Sequence, residues 1–170
     1  MRMPKDSTGD VYPAIEISLA NQNLSLWASA FRQPLVYPVS TALNGAGERN
    51  GSGCTPRGKH YIRALIGDHQ PLNTVFVGRR PTGEILTPEF AARYPERDWI
   101  LTRILWLCGS EPGKNRLGSV DSFRRFIYIH GTPDSEPMGT PQSHGCIRMR
   151  NDQVAELFSQ VRPGTPVYII

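Results

Sequence analysis

The chain has 170 residues, 39% hydrophobic and 20% charged, enough for one domain with a hydrophobic core that needs no staples. Gly 16 and Pro 15 are both high and argue for many turns and against an all-helical bundle. The net charge of +4 is diffuse, with no Lys/Arg run and no interleaved aromatic stripe, so it points away from nucleic acid. No uncharged apolar stretch approaches the roughly 20 residues of a membrane helix either.

In chain order, the opening MRMPKDSTGD lacks the apolar core of a secretory signal. Residues 1–12 are expected to be a flexible N-terminus to a single domain spanning 1–170. Over residues 14–19, Ile15, Ile17 and Leu19 alternate with Glu16 and Ser18. The alternation resumes at Leu24 and Leu26 after Asn21-Gln22-Asn23, which predicts a β-hairpin. A strand over 35–40, flanked by Pro34 and broken by Pro38, belongs at a sheet edge.

Residues 44–58 (NGAGERNGSGCTPRG) hold five glycines and read as a loop. Residues 53–59 fit GxxxxGK, the start of a phosphate-binding loop. His60 stands where Ser or Thr would hold magnesium, however, Pro56 removes a backbone donor, and a strand follows instead of a helix. A strand-connecting loop is the better reading.

Strands are expected over 60–66 and 74–77. Thr87, Pro88 and Glu89 open a short helix over 87–94. Residues 99–108 (WILTRILWLC) form the most apolar run and predict a central strand, with Trp99, Trp106 and Cys108 in the core. Residues 124–130 predict another strand, with Phe126, Tyr128 and His130 on one face. Asn151 can cap a helix carrying Val154, Leu157, Phe158 and Val161, which stops at Pro163-Gly164, and residues 165–170 complete the chain as a strand. The sum is a mainly-β domain with two short helices.

Residues 127–151 (IYIHGTPDSEPMGTPQSHGCIRMRN) carry the chemistry. His130 leaves a rigid strand, and Pro133, Pro137, Gly139 and Pro141 let the chain fold back toward Cys146, sixteen residues on. A free thiol is only a few per cent ionised near neutrality, so acyl transfer needs a base or a preformed thiolate–imidazolium pair within reach. Gly145 permits an unusual backbone angle, and the N–H groups of Gly145 and Cys146 can stabilise an oxyanion. Arg148, two residues beyond, shares a face with Cys146 if the segment is extended and can hold a substrate carboxylate.

A zinc site using His130, His144 and Cys146 is the competing reading. It lacks a fourth ligand at recognisable spacing, and the link from His144 to Cys146 is tight for a structural site. No metal or other cofactor is therefore expected. Cys54 and Cys108 read as core or structural thiols, and His60 and His69 as surface or loop residues.

IHGT followed by SHGCIRMRN resembles the signature of the L,D-transpeptidase catalytic domain, the YkuD-type family of peptidoglycan enzymes. Weaker likenesses extend it over nearly the whole chain: the 15–26 hairpin with Gln22, PVST at 38–41, TPRG at 55–58 and the final GTPVYII. The resemblance implies a β-sandwich-like domain of mixed sheets with the cysteine in a buried cleft. It makes Cys146 the nucleophile and His130 its base, with the Gly131 carbonyl orienting the imidazole. Ser143, His144 and Gly145 would shape the pocket and oxyanion hole, and Arg148, Tyr128, Thr132 and Asn151 would bind substrate. Many members carry an acid two residues after the motif Asn; here Gln153 takes that place and Asp152 precedes it.

The implied partners are peptidoglycan stem peptides, with diaminopimelate or lysine as the third residue left open. The acyl-enzyme can pass to water, giving an L,D-carboxypeptidase that trims D-alanine from recycled tetrapeptides. It can equally pass to an amine, giving a cross-link. The 51–67 and 97–109 stretches resemble the leaderless carboxypeptidases of the family, which makes hydrolysis in the cytoplasm the expectation. A periplasmic site of action is the alternative if a leader has been removed. Three cysteines without framework spacing agree with reduced thiols. A non-catalytic peptidoglycan-binding module is the alternative of another class, and nothing in the sequence speaks to oligomeric state.

Overall fold

The computed structural model describes residues 13–28 and 32–170, so the expectation for residues 1–12 lies outside the described residues. The opening alternation gives β1 (Ala14–Ser18) and β2 (Asn23–Trp27), a hairpin that sets Ile15 opposite Leu26 and Ile17 opposite Leu24. Gln22 sits in the turn and donates to Thr41 Oγ1 at 2.7 Å while accepting the Thr41 N–H at 2.9 Å. β3 (Leu35–Pro38) pairs with β2 at the end of the sheet, the place its prolines require.

The glycine-rich loop leads directly into β4 (Gly58–Ile66), as a strand connection does and a phosphate cradle does not. β5 (Thr74–Val77) and β6 (Arg80–Ile85) are joined by Gly78-Arg79, whose φ angles of 55° and 64° make the two-residue turn that suits strand twist. Sequence alternation does not reveal β6, because RPTGEI has no apolar period. In α1 (Pro88–Arg93) the Thr87 side chain accepts the Phe90 N–H at 3.1 Å, as expected of its cap. Phe90 then seats the helix on Trp99, with ring centroids 5.4 Å apart.

β7 (Ile100–Gly109) is the central strand. It takes β4 and then β5 along one edge and β8 (Tyr128–Gly131) along the other. β9 (Ile147–Met149) lies parallel to β8, pairing His130 with Arg148. After α2 (Asn151–Gln160), β10 (Pro166–Ile169) inserts between β1 and β4. The expected mixed sheets are thus one curled, hydrogen-bonded mixed sheet. Register shifts at Ile62/Ala64 and Leu101/Ile104 supply local bends of the kind that curl a sheet.

The main core joins Ile15, Leu24, Ile62, Leu105, Ile129 and Ile147 to Val154 and Leu157 of α2. Burying each large apolar side chain contributes about 1.5–3 kcal/mol, and this packing holds α2 beneath β7 and β8.

Three expectations need correction. His60, expected at the surface or in a loop, is buried within β4 at 2% exposed, with Nε2 2.8 Å from Ser122 Oγ. The strand predicted over 124–130 begins only at Tyr128: Asp121 accepts the N–H groups of Leu117 and Arg124 at 2.7 and 3.0 Å, and Phe126 turns the chain with φ 56°. Asn151 does not cap α2. Arg150 occupies that position without a side-chain cap, and Asn151 is the first helical residue, 4% exposed.

Candidate active site

β8 and β9 bring the motif together because they lie side by side and in parallel. Tyr128 and His130 project to one face of β8, and Cys146 enters beside them at the head of β9. Cys146, His130, Tyr128, Ser143, His144 and Arg148 all line one cleft of about 290 Å³. A larger hollow of about 480 Å³ between α1 and residues 133–136 contains no cysteine or histidine, so the chemistry belongs to the smaller one.

His130 is buried, and its Nδ1 lies 2.7 Å from the Gly131 carbonyl oxygen. A carbonyl only accepts, so Nδ1 carries the proton and Nε2 is left as the basic nitrogen. Burial pulls the His130 pKa below its ordinary 6.5, against the opposing pull of the Gly131 hydrogen bond and the Asp98 charge.

The Cys146 Sγ accepts the Tyr128 N–H and donates to the Phe126 carbonyl, both at 3.3 Å. Burial pushes the thiol up to about 12, although the Tyr128 N–H favours the thiolate. Imidazole and thiol therefore rest as a neutral pair in one cleft, with no hydrogen bond between them. Of the two routes open to such a pair, this arrangement suits base catalysis by neutral His130.

The turn before Cys146 is tied from two sides. Ser143 Oγ donates to the Cys146 carbonyl at 2.6 Å and accepts the Gly145 N–H at 3.2 Å. Gly145 has φ 135°, and a Cβ there would meet the Cys54 carbonyl oxygen at 3.2 Å. Thr55, fully buried, donates from Oγ1 to the Gly145 carbonyl at 2.9 Å and accepts the Ala42 N–H at 3.0 Å. The glycine-rich loop is thus the back wall of the Cys146 turn. Arg125 fastens that loop in place by donating to the Cys54 carbonyl at 2.7 Å.

Arg148 reaches the cleft with both Nη groups already facing acids, while its buried Nε has no partner among the described residues. Nη2 donates to Asp98 Oδ1 at 3.0 Å, and Nη1 lies 3.5 Å from Glu136 Oε2. Burial raises the Asp98 pKa, but His130 when protonated, the Arg148 charge and the His144 hydrogen bond outweigh it and hold the carboxyl below its ordinary range. His144 is exposed and turns its Nδ1 to the same carboxylate at 3.3 Å, which takes it away from any shared zinc position. Among the described residues no three His, Cys, Asp or Glu side chains are grouped for metal ligation.

Thr132 and Asn151 lie behind the cleft instead of in it. Both are buried, and Asn151 Nδ2 donates to the Thr132 carbonyl at 2.8 Å while Oδ1 accepts from Thr102 Oγ1 at 2.6 Å. Their place in the structure is a tie between α2, β8 and the bulge of β7. Sequence reasoning gave no role in the site to Asp98, Arg79, Phe126 or Thr55. Two of them carried a signal: Thr55 in the TPRG stretch, and Phe126 on the face assigned to Tyr128 and His130.

The match to known proteins follows this architecture. The family model for the YkuD L,D-transpeptidase catalytic domain matches residues 12–169. The chain is 28% identical over 156 residues to the probable L,D-transpeptidase YcfS of Escherichia coli, covering 92% of this chain and 43% of that protein. It is 30% identical over 131 residues to a putative L,D-transpeptidase of Fuscovulum blasticum, covering 67% and 65% respectively. It therefore spans less than two thirds of the length of either relative.

Among solved structures, the L,D-transpeptidase of Xylanimonas cellulosilytica has TM-score 0.58 at 18% identity, covering all of this chain and 64% of that one. The L,D-transpeptidase LdtMt1 in complex with imipenem has TM-score 0.53 at 17% identity, covering 95% and 60%. At these identities the structural likeness speaks for the fold, and the family model speaks for descent. With its match running over almost the whole length, the chain belongs to the L,D-transpeptidase catalytic-domain family.

Proposed function

We propose that the chain is a cysteine peptidase that opens the L,D bond before the terminal D-alanine of a peptidoglycan stem tetrapeptide and passes the acyl group to water. The observation that carries this reading is the His130–Gly131 contact at 2.7 Å beside Cys146, which fixes a basic Nε2 in the cleft of the thiol.

In the first half-reaction Sγ leaves the Phe126 carbonyl and attacks the carbonyl carbon of the third stem residue, and its proton passes to His130 Nε2. The tetrahedral oxyanion collapses, the C–N bond breaks, and Nε2 returns the proton to the amine of the departing D-alanine. In the second, His130 takes a proton from water as its oxygen attacks the thioester. The thiol leaves with that proton, and a tripeptide carboxylate is released. Soluble, recycled stem peptides are the substrate this reading requires. The cytoplasm is the compartment in which Cys146 is most easily kept reduced.

An amine acceptor is the second reading, favoured by one feature. Asp98 and Glu136 together outweigh Arg148, leaving an acidic flank that attracts an ammonium group, and Glu136 also borders the larger hollow. Product analysis decides between the two. Protein incubated with monomeric tetrapeptide should release D-alanine and tripeptide without dimers, with or without added amino acceptor. Dimers formed without net tripeptide would overturn hydrolysis in favour of cross-linking. Binding of tetrapeptide without any product would leave a non-catalytic peptidoglycan-binding module.

A further inference from the structure

We propose that Arg79, at the tip of the β5–β6 hairpin, is the specificity residue that binds the terminal carboxylate of the substrate. The inference rests on the stem-peptide reading and adds to it the group that recognises the chain end.

Two arginines line the cleft, and their surroundings differ. Arg148 is 8% exposed and faces Asp98 and Glu136, so a substrate carboxylate placed there would be a third acid on one guanidinium. Arg79 is half-buried and has no carboxylate partner among the described residues. Its guanidinium carbon lies 4.8 Å from the Trp106 ring centre and 5.0 Å from that of Phe126, and Nη1 donates to the Tyr128 hydroxyl at 3.2 Å. Its other N–H groups have no protein acceptor among the described residues. A guanidinium stacked on rings and held at one corner keeps its plane fixed and its remaining donors available, the arrangement that suits a bidentate carboxylate.

The shelf beneath Arg79 is also the seat of the nucleophile. Phe126 offers its carbonyl to the Cys146 thiol, and Tyr128 offers its N–H. In a substrate cut before its last residue, the terminal carboxylate lies only about 3.5 Å of chain beyond the scissile bond. A clamp for it must stand in the cleft of the thiol, which Arg79 lines.

The backbone adds a second pointer. Arg79 has φ 64°, a left-handed conformation in which Gly or Asn is less strained than a long side chain. Strained positions of this kind cluster at active sites and ligand clamps.

The test compares two tetrapeptides, one ending in D-alanine and one in D-alaninamide, titrated calorimetrically into Cys146→Ala protein with Arg79 native, Arg79→Lys or Arg79→Asn. Asn suits the turn, so folding is preserved, and a thermal melt verifies it. The native Arg79 should prefer the acid by about tenfold or more. Arg79→Asn should erase the preference by weakening the acid alone, and Arg79→Lys should keep part of it.

Equal weakening of both peptides means that Arg79 only pins the hairpin, and it overturns the proposal. An unchanged preference, no preference with native Arg79, or no binding of either peptide overturns it as well. D-alanine release by the unsubstituted enzyme is scored separately. Its absence defeats the proposed reaction while the carboxylate preference still reports on Arg79.

Discussion

Arg148 donates to Asp98 at 3.0 Å across fifty residues of sequence, so the cation two places beyond the nucleophile is neutralised by the chain itself. The pair fixes the start of β7 against β9 and turns His144 outward through the same carboxylate.

Asp98→Asn should therefore destabilise the protein by about 1 kcal/mol in denaturant unfolding. It leaves the nearly buried Arg148 with the longer Glu136 contact alone, and the exposure of Asp98 limits the loss. Glu136→Gln should cost less. Neither change should lower KM for tetrapeptide. A lower KM in Asp98→Asn would show that Arg148 had been freed to take the substrate carboxylate.

Stability should be greatest from about pH 6.5 to 9. His130 and His60 are buried, and desolvation holds both below the ordinary histidine value of 6.5. As pH falls below 6.5 the unfolded chain takes up protons that the folded chain refuses, so stability declines. Cys146 works in the other direction: its folded value of about 12 stands above the ordinary 9.0, so stability declines again as the unfolded thiol ionises. Urea unfolding at about pH 5.5, 7.5 and 9.5 checks both limbs. His130→Asn should shallow the acid limb, and a stability that rises toward pH 5.5 contradicts the neutral resting imidazoles.

Thr55→Val should cost about 2 kcal/mol or more, because an isosteric methyl leaves the Gly145 carbonyl and the Ala42 N–H buried without Thr55. The nucleophile turn loses its anchor, so kcat should fall more than KM rises. Thr55→Ser should restore most of both. If kcat is unchanged in the folded valine variant, the loop does not position Cys146.

Gly131→Ala should lose about 1–3 kcal/mol and nearly all turnover. A Cβ there would run into the Asn151 side-chain oxygen and lie 2.7 Å from the Leu101 carbonyl, so β8 must shift and carry the His130-orienting carbonyl with it. Steady-state kinetics on the folded variant checks this, and activity near that of the native chain contradicts it.

Most of the sheet was legible because its signals are local. Ile15, Ile17, Leu24 and Leu26 alternate, Thr87-Pro88-Glu89 spells out a helix start, and Val154 and Leu157 keep a helical period. Cys146, His130 and Ser143 were legible because they fall in one short motif. The misreadings arose where a distant partner overrode a local pattern. Residues 124–127 lead straight into the apolar run of β8 and read as its start, yet Asp121 turns them into a loop. Asn151 has the chemistry of a cap but is drawn inward by Thr102 and Thr132. Asp98 and Arg79 are ordinary surface types in sequence, and only the curl of the sheet brings them to one cleft with the thiol.

The proposed reaction passes through a thioacyl bond on Cys146. Intact-protein mass spectrometry of a rapid quench with tetrapeptide, followed by peptide mapping, tests it directly. The mass of the tripeptide acyl group should appear on Cys146 and be absent from Cys54 and Cys108, and Cys146→Ala should release no D-alanine. Release of D-alanine by Cys146→Ala at the native rate would contradict it.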